Sequence, residues 1–505
     1  MTLRELVGRA DLPDVSVSGL SGDSRQVQPG DAFVACAGQA FDGHAFVPEA
    51  VRRGATAVLS ERAVKATVPV AVLPDLAHRR GELAARFHGS PSERLTVVGV
   101  TGTNGKTTVA HSLAAAMPRA AFAGTVGWGF PKALRPAALT TEDPITVQAR
   151  LRTLLDAGAD SVAMEVSSHA LEQGRVQEVA FDVAVFTNLS RDHLDYHGSM
   201  ERYADAKKKL FQRDLRAAVA NIDDATGRSI LAETNAAGID SFGFGAAADA
   251  DVSWSNVRYE AQGLTGTWHT PWGKASFKAP GFFGEFSLRN LAATLTAECA
   301  LGVSLDDAAA SMLHLPPPPG RMQAADEAAT PLVLIDYAHT PDALKAALAA
   351  VRQHLPGTSR RRLVTVFGCG GDRDRGKRAA MAQAAEAGAD AVFLTSDNPR
   401  GEDPERILDD AMQGFREPDR VRRMADRAGA IESAIGAARA TDIVLIAGKG
   451  HETYQEIDGV RRPFSDLDQA RGGGNRARGP PGGGGVGVGW GTDGGEKGGG
   501  SGGLG

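Results

Sequence analysis

The run Leu95-Thr96-Val97-Val98-Gly99-Val100 leads directly into Thr101-Gly102-Thr103-Asn104-Gly105-Lys106-Thr107-Thr108. An apolar run this short, followed by turn residues, reads as a strand buried on both faces. The small residues after it form a loop whose backbone N–H groups converge, and a helix begins behind them. The helix N-terminus adds partial positive charge there, and Lys106 adds a full one. The pattern therefore commits the middle of the chain to a strand–loop–helix unit of a parallel sheet, shaped to hold a polyphosphate, with the Thr107 hydroxyl placed for Mg²⁺. The common spacing, G-x-x-x-x-G-K-[ST], calls for glycine at position 100; here it stands at Gly99.

The α/β pattern extends to both sides. Residues 1–88 hold short strand-like runs and turns, including Ser24-Arg25 and Asp42-Gly43-His44, and a helix-to-strand pattern over 47–59, as in a small α/β domain. Gly89-Ser90-Pro91 reads as a linker. Residues 89–320 repeat strand, loop and helix; 161–165 and 183–186 read as central parallel strands, and alternation over 252–283 as an antiparallel insert. Pro316-Pro317-Pro318-Pro319-Gly320 is a stiff break. Residues 321–471 carry a second series, with strands at 332–335, 363–367, 391–394 and 443–446 and helices at 341–353 and 376–387, as in a doubly wound domain. Over 472–505 more than half the residues are glycine, and with few apolar side chains to bury, disorder is expected. The expected fold is α/β in three domains: a small N-terminal α/β domain, a central P-loop ATPase-like parallel-sheet domain and a C-terminal Rossmann-like α/β domain.

Composition excludes several classes. A formal charge of −6 over 505 residues argues against a chain that coats nucleic acid. Three scattered cysteines, Cys36, Cys299 and Cys369, are too few for a disulfide framework or a zinc knuckle and suit a reducing compartment. No stretch reaches the ~18 apolar residues of a spanning helix, and the N-terminus has no signal-peptide core. A cytoplasmic monomer is expected.

Chemistry-bearing residues collect where strands end. Glu165 closes the expected strand 161–165, and a carboxylate there points into the ligand crevice of an open α/β sheet. After the next strand comes Asp192-His193-Leu194-Asp195-Tyr196-His197. Carboxylate oxygens suit Mg²⁺; His193 reads equally as a ligand or as a hydrogen-bonding group. In Tyr203-Ala204-Asp205-Ala206-Lys207-Lys208-Lys209-Leu210-Phe211, Lys208 and Lys209 read as a solvated helix face. Ser167, Gln173 and Arg175 offer groups suited to pyrophosphate and carboxylate. Thr140 and Thr141 read as a strand end, an N-cap or ligand contacts. Ser24 and the Asp42-Gly43-His44 turn are structural or binding residues. Arg321 and Asp336 follow the proline break, as an interdomain ion pair or a sensor of bound nucleotide. Three loops follow C-terminal strands: Gly368 to Arg378, containing Arg373; Ser396-Asp397-Asn398-Pro399-Arg400; and Gly448-Lys449-Gly450-His451-Glu452. This topology brings them to one edge, where ligands bind.

Taken together, the variant phosphate loop, Ala206-Lys207-Lys208-Lys209-Leu210-Phe211, Gly284 to Asn290, Gly320-Arg321-Met322 and Asp397-Asn398-Pro399-Arg400 resemble the Mur ligase and folylpolyglutamate synthase superfamily. The likeness runs to about residue 468, and is greatest to the branch that adds the third residue of the peptidoglycan stem peptide. It implies an ATP-dependent, amide-forming ligase acting through an acyl phosphate, with ATP and Mg²⁺ bound. By that resemblance Gly102, Thr103, Asn104, Gly105, Lys106, Thr107, Thr108, Asn290, Arg321 and Asp336 hold the nucleotide. Thr107 and Glu165 hold one Mg²⁺, while His193 and a carbamylated Lys207 serve a second. Lys106, Glu165, His193 and Lys207 form the catalytic set. The N-terminal domain takes the uridine, with Ser24, Thr140, Thr141, Ser167, Gln173 and Arg175 on the UDP-N-acetylmuramoyl dipeptide. Arg373, Asp397, Asn398, Arg400, Gly448 and Glu452 take a diamino acid. Asp-Asn-Pro-Arg points to meso-2,6-diaminopimelate, whose distal carboxylate Arg400 can grip bidentately; lysine and ornithine are the alternatives. A P-loop kinase or ATP-driven switch is the reading from another class, but needs no set like Lys207, Glu165 and His193. A folylpolyglutamate synthase would need neither the uridine-type domain nor the Asp-Asn-Pro-Arg loop.

Overall fold

The computed structural model describes residues 1–38, 42–326, 329–355 and 361–477. The chain is α/β in three parts, each with its own parallel sheet. The first holds β1 (Gly19–Ser21), β2 (Asp31–Ala35), β3 (Ala57–Ser60) and β4 (Val70–Val72), parallel and in that order. The helix Leu76–His88 packs its buried face, including Leu76, Leu83 and Ala84, over this sheet. Ile145 of the following domain completes the same core and joins the two.

The central sheet comprises β5 (Thr96–Thr101), β6 (Ala120–Gly124), β7 (Gly127–Gly129), β8 (Ser161–Glu165), β9 (Val183–Phe186), β10 (Ala217–Asn221) and β11 (Asp240–Phe244), in the order β11-β10-β9-β5-β8-β6-β7. Only β7 runs antiparallel to its neighbour. β5 lies in the middle, with Val97, Val98 and Val100 fully buried, because helices cover both faces. Gly99 belongs to this strand. A Cβ there would stand 2.8 Å from the Phe181 ring, so this glycine serves packing, and the glycine that opens the phosphate loop is Gly102. The expected insert is an antiparallel sheet, β12 (Ser253–Glu260), β13 (Gly263–Thr270) and β14 (Gly273–Pro280), which buries Trp268 against the central core.

The third sheet contains β15 (Gln323–Ala324), β16 (Leu332–Asp336), β17 (Leu363–Cys369), β18 (Ala391–Ser396), β19 (Val421–Arg423) and β20 (Ile443–Ala447), in the order β15-β16-β20-β17-β18-β19, parallel except for β15. A hairpin, β21 (Tyr454–Ile457) and β22 (Val460–Pro463), stands beside it. His354 fastens this domain to the central one. Its Nε2 accepts from the Gly284 N–H at 3.0 Å, and its Nδ1 donates to the Glu260 carbonyl at 2.6 Å. Gly284 is required at this joint, since a Cβ would fall 2.2 Å from that of Ala350.

The expectation of disorder from residue 472 needs correction over its first part, because the last helix spans Asp466–Ala477. Asp466, fully buried on Arg427, anchors its start, and Arg471 Nε donates to the Ala325 carbonyl at 2.9 Å. Residues 478–505 lie outside the described residues.

Candidate active site

The phosphate loop joins β5 to the helix Lys106–Ala116. Gly102 and Gly105 take φ values of +146° and +87°, and a Cβ on Gly102 would stand 1.9 Å from Thr187 Oγ1; only glycine fits such a turn. The Thr103 N–H donates to the Asn188 carbonyl at 2.8 Å and the Asn104 N–H to Asn188 Oδ1 at 3.1 Å, tying the loop to the end of β9. Lys106 Nζ donates to the Gly102 and Thr103 carbonyls, both at 2.8 Å. Asn290, on the helix Gly284–Ala300, reaches the loop from the other side: a Cβ on Gly105 would lie 2.4 Å from its Oδ1. Thr108 sits in the first helical turn.

Thr107 and Glu165 meet. Thr107 Oγ1 donates to Glu165 Oε2 at 3.0 Å, and both residues are buried. Thr125 completes the seat, its N–H donating to Glu165 Oε1 at 2.8 Å and its hydroxyl to Oε2 at 3.1 Å. Thr140 Oγ1 lies 3.0 Å from Thr125 Oγ1. Thr141 donates to the Glu165 carbonyl at 2.9 Å and accepts from the Ser167 N–H at 3.1 Å. Arg175 Nη1 donates to the Thr141 carbonyl at 2.7 Å, and its Nε and Nη2 grip Gln173 Oε1. Thr141, Ser167, Gln173 and Arg175 thus form a network on the main-chain carbonyl of Glu165, while Thr140 reaches its carboxylate through Thr125. Ser167 also caps the helix Ser168–Glu172 through the Ala170 N–H. A buried hydroxyl and carboxylate at the mouth of a glycine cradle fit Mg²⁺, which takes few protein ligands and keeps water or phosphate oxygens. Among the described residues no three His, Cys, Asp or Glu side chains gather as a metal site.

Lys207 lies in the last turn of the helix Met200–Lys208 and is 1% exposed. Its Nζ faces the Tyr203 ring, 4.3 Å from the centroid, and it forms no ion pair among the described residues. Burial, and then neighbouring Lys106, push its pKa well below the ordinary lysine range, against the pull of Asp192. Its neighbours in sequence behave differently: Lys208 pairs with Glu233 and Lys209 with Glu172. Tyr203 OH lies 3.2 Å from Thr103 Oγ1, so one side chain spans from Lys207 to the phosphate loop. His193, half exposed with φ +51°, stands 3.5 Å from Asp192 Oδ2 through its Nε2. Its ring centroid is 5.0 Å from that of His169 and 6.2 Å from that of Tyr203.

Other expected residues lie farther out. Ser24 is buried in the N-terminal domain and donates to Glu49 Oε2 at 2.8 Å. Arg321 lies over the Tyr337 ring at 4.6 Å rather than pairing with Asp336; Asp336 accepts from the Met322 and Ala338 N–H groups, both at 2.9 Å. Burial raises the Asp336 pKa, with Arg321 opposing. Arg321 also acts on Lys106 across the domain junction.

The three C-terminal loops converge. Arg400, at φ +54°, donates through Nη1 to the Gly371 carbonyl at 2.8 Å. Asn398 Nδ2 donates to Glu452 Oε2 at 2.9 Å. Gly448, at φ +119°, lets the last loop close over Asp397, whose Oδ2 a Cβ would meet at 2.6 Å. Burial raises the Asp397 pKa, while Arg427 and Lys449 oppose it. Arg373 is exposed at the rim. Beneath them Arg427 and Asp466 form a fully buried double hydrogen bond, with both contacts at 2.7 Å.

Sequence reasoning passed over Thr125, Tyr203, Lys449, Arg427 and Asp466. Lys449 carried a signal, a lysine between two glycines after a strand. Thr125 and Asp466 carried none, since their roles arise from contacts distant in sequence.

A phosphate loop feeding a buried Thr–Glu pair, a neighbouring buried lysine and a second α/β domain whose Arg321 acts on Lys106 across the junction define a P-loop ligase of three domains. The chain belongs to the Mur ligase family. Family models match residues 16–88 (Mur ligase family, catalytic domain), 100–297 (Mur ligase middle domain) and 320–450 (Mur ligase, glutamate ligase domain). It is 48% identical to the UDP-N-acetylmuramoyl-L-alanyl-D-glutamate--2,6-diaminopimelate ligase of Chromobacterium violaceum, over 89% of this chain and 93% of that one. It is 44% identical to the enzyme of that name from Coxiella burnetii, over 93% and 98% of the two chains. A solved structure of a ligase so named superposes with TM-score 0.70 at 38% identity, covering 95% of this chain and 99% of the other. Among the described residues no helix is long and apolar enough to cross a membrane.

Proposed function

We infer that this chain joins meso-2,6-diaminopimelate to UDP-N-acetylmuramoyl-L-alanyl-D-glutamate, consuming ATP, in peptidoglycan precursor synthesis. The observation that carries the reading is the state of Lys207: a buried amine with no ion-pair partner among the described residues, a lowered pKa and a link to the phosphate loop through Tyr203. A neutral amine is the form that adds CO₂, and the carbamate so formed is an anion where the bare side chain would be a cation. A kinase or a switch has no use for that group.

Thr107 and Glu165 suit one Mg²⁺, and His193 with carbamylated Lys207 a second; the metal supplies charge neutralisation for the transferring phosphoryl group. The loop N–H groups and Lys106 hold the ATP phosphates, and Asn290 takes the adenosine end, a role supported by its closeness to Gly105. The network from Thr140 to Arg175 orients the terminal carboxylate of the dipeptide toward the γ-phosphate. That carboxylate attacks phosphorus, ADP leaves, and an acyl phosphate results. The diaminopimelate amine, held by the C-terminal loops, attacks the acyl carbon and expels phosphate. Arg321, stacked at the junction, closes over the site and helps exclude water. Most of the rate comes from positioning and charge stabilisation.

Arg400 and Glu452 support the diamino acid assignment, one offering a fork to the distal carboxylate and the other an acceptor to the distal ammonium. A cytoplasmic monomer is part of the reading; the three free cysteines support a reducing compartment. The test is ADP formation measured with and without each substrate, using diaminopimelate, lysine and ornithine in turn. Turnover that needs both the muramoyl dipeptide and diaminopimelate supports the reading. Turnover indifferent to them contradicts it.

A further inference from the structure

We propose that Lys449 is a positioning residue for the diamino acid: it sets which atoms of Asn398 and Glu452 are left free to meet the substrate. Lys449 is 0% exposed, two residues past the end of β20. Its Nζ donates to Glu452 Oε2 at 2.9 Å and to Asn398 Oδ1 at 3.0 Å, with the Tyr454 ring centroid 5.5 Å away. Each of these contacts removes a choice. Asn398 Oδ1 already accepts from the Glu456 N–H at 3.0 Å, so the second donor fills it. The amide must then present its NH₂, and one of those two protons goes to Glu452 Oε2 at 2.9 Å. Glu452 Oε2 is filled in turn, by Asn398 and Lys449 together.

Among the described residues, one proton on Asn398 Nδ2 and Glu452 Oε1 have no partner. A donor beside an acceptor is the complement of a carboxylate beside an ammonium, the two groups on one stereocentre of an amino acid. Arg400 stands in the same loop as Asn398 and adds a cation for the carboxylate. Lys449 also keeps Glu452 from being a lone anion in a half-enclosed site, which would favour turning outward to water. Without Lys449, Asn398 Oδ1 still holds the Glu456 N–H, but the Glu452 carboxylate loses its cation and can rotate away from the Asn398 amide, and the matched pair is lost. Lys449 itself need never touch the substrate.

The inference rests on the diaminopimelate reading, and a double-mutant cycle separates the two. Wild-type, Lys449→Met, Glu452→Gln and the double variant are assayed for KM and kcat. KM does not depend on the fraction of enzyme folded, so partial misfolding leaves the readout intact. Lys449→Met is expected to raise KM for diaminopimelate roughly tenfold, the effect of losing one charged hydrogen-bond partner. KM for ATP and for the muramoyl dipeptide should change less than about twofold. In the Glu452→Gln background the same substitution should add less than about twofold, because its effect passes through that carboxylate. An equal rise in both backgrounds, a parallel rise in all three KM values, or no rise overturns the inference. If the wild-type enzyme does not use diaminopimelate, the functional reading itself fails, which the wild-type arm reports alone.

Discussion

Lys207 Nζ lies 4.3 Å from the centre of the Tyr203 ring, and the hydroxyl of that tyrosine lies 3.2 Å from Thr103 of the phosphate loop. One aromatic side chain therefore covers the amine and reads the loop where ATP would sit. Tyr203→Phe keeps the ring and removes the link to Thr103. It is expected to lower kcat about three- to tenfold, the cost of one hydrogen bond. Lys207→Ala removes the amine and should lower kcat by about a hundredfold or more. Steady-state kinetics on the two variants checks the order.

The lowered pKa of Lys207 also predicts a trade between stability and activity. Between its folded-state value and the ordinary lysine value, the unfolded chain binds a proton that the native chain does not. Stability therefore rises with pH across that window, and at neutral pH the unmodified lysine destabilises the fold. In CO₂-free buffer, Lys207→Met should melt at a higher temperature than the parent while losing turnover. Calorimetry at neutral pH tests this, and a lower melting temperature counts against it.

His111, on the phosphate-loop helix, is pushed by burial to a pKa of about 4 from 6.5. The neutral ring is the native form. Its contribution is full above pH 6.5 and is lost as pH falls toward about 4, a change of about 3 kcal/mol for one such group. His111→Leu should flatten that part of the stability curve. The difference between the two proteins' denaturant midpoints at pH 7 and pH 4.5 isolates it from the carboxylates.

Arg400 should govern selectivity. Arg400→Ala leaves the distal carboxylate of diaminopimelate without its partner, worth about 1–3 kcal/mol or a roughly 5- to 150-fold rise in KM. Lysine, which has no such carboxylate, should be affected far less. Competition between the two amino acids, read by mass spectrometry of the product, measures the shift.

The parts legible in sequence are those built from local pattern. The phosphate loop, the strands at 161–165 and 183–186 and the helix Pro341–Gln353 form at the residues their spacing marks, because burial on both faces leaves a continuous apolar signature. Gly99 falls inside the strand run that the sequence marks, but why a glycine stands there is set by the Phe181 ring, which the linear pattern does not carry. Contacts across long separations left no trace. Thr125 meets Glu165 at 40 residues' distance, and Tyr203 meets Thr103 at 100. The terminal helix outran its glycine-rich composition because Asp466 is locked on Arg427, an anchor 39 residues away. The amide orientation of Asn398 and the unpartnered oxygen of Glu452 are likewise properties of a three-dimensional hydrogen-bond count, which no linear motif carries.

The central claim is that a carboxylate of the muramoyl dipeptide takes the γ-phosphoryl group before the amine arrives. Dipeptide labelled with ¹⁸O in its terminal carboxylate tests this directly, with mass spectrometry of the phosphate released per amide bond formed. One ¹⁸O in each phosphate is the predicted result; phosphate free of label would contradict the account.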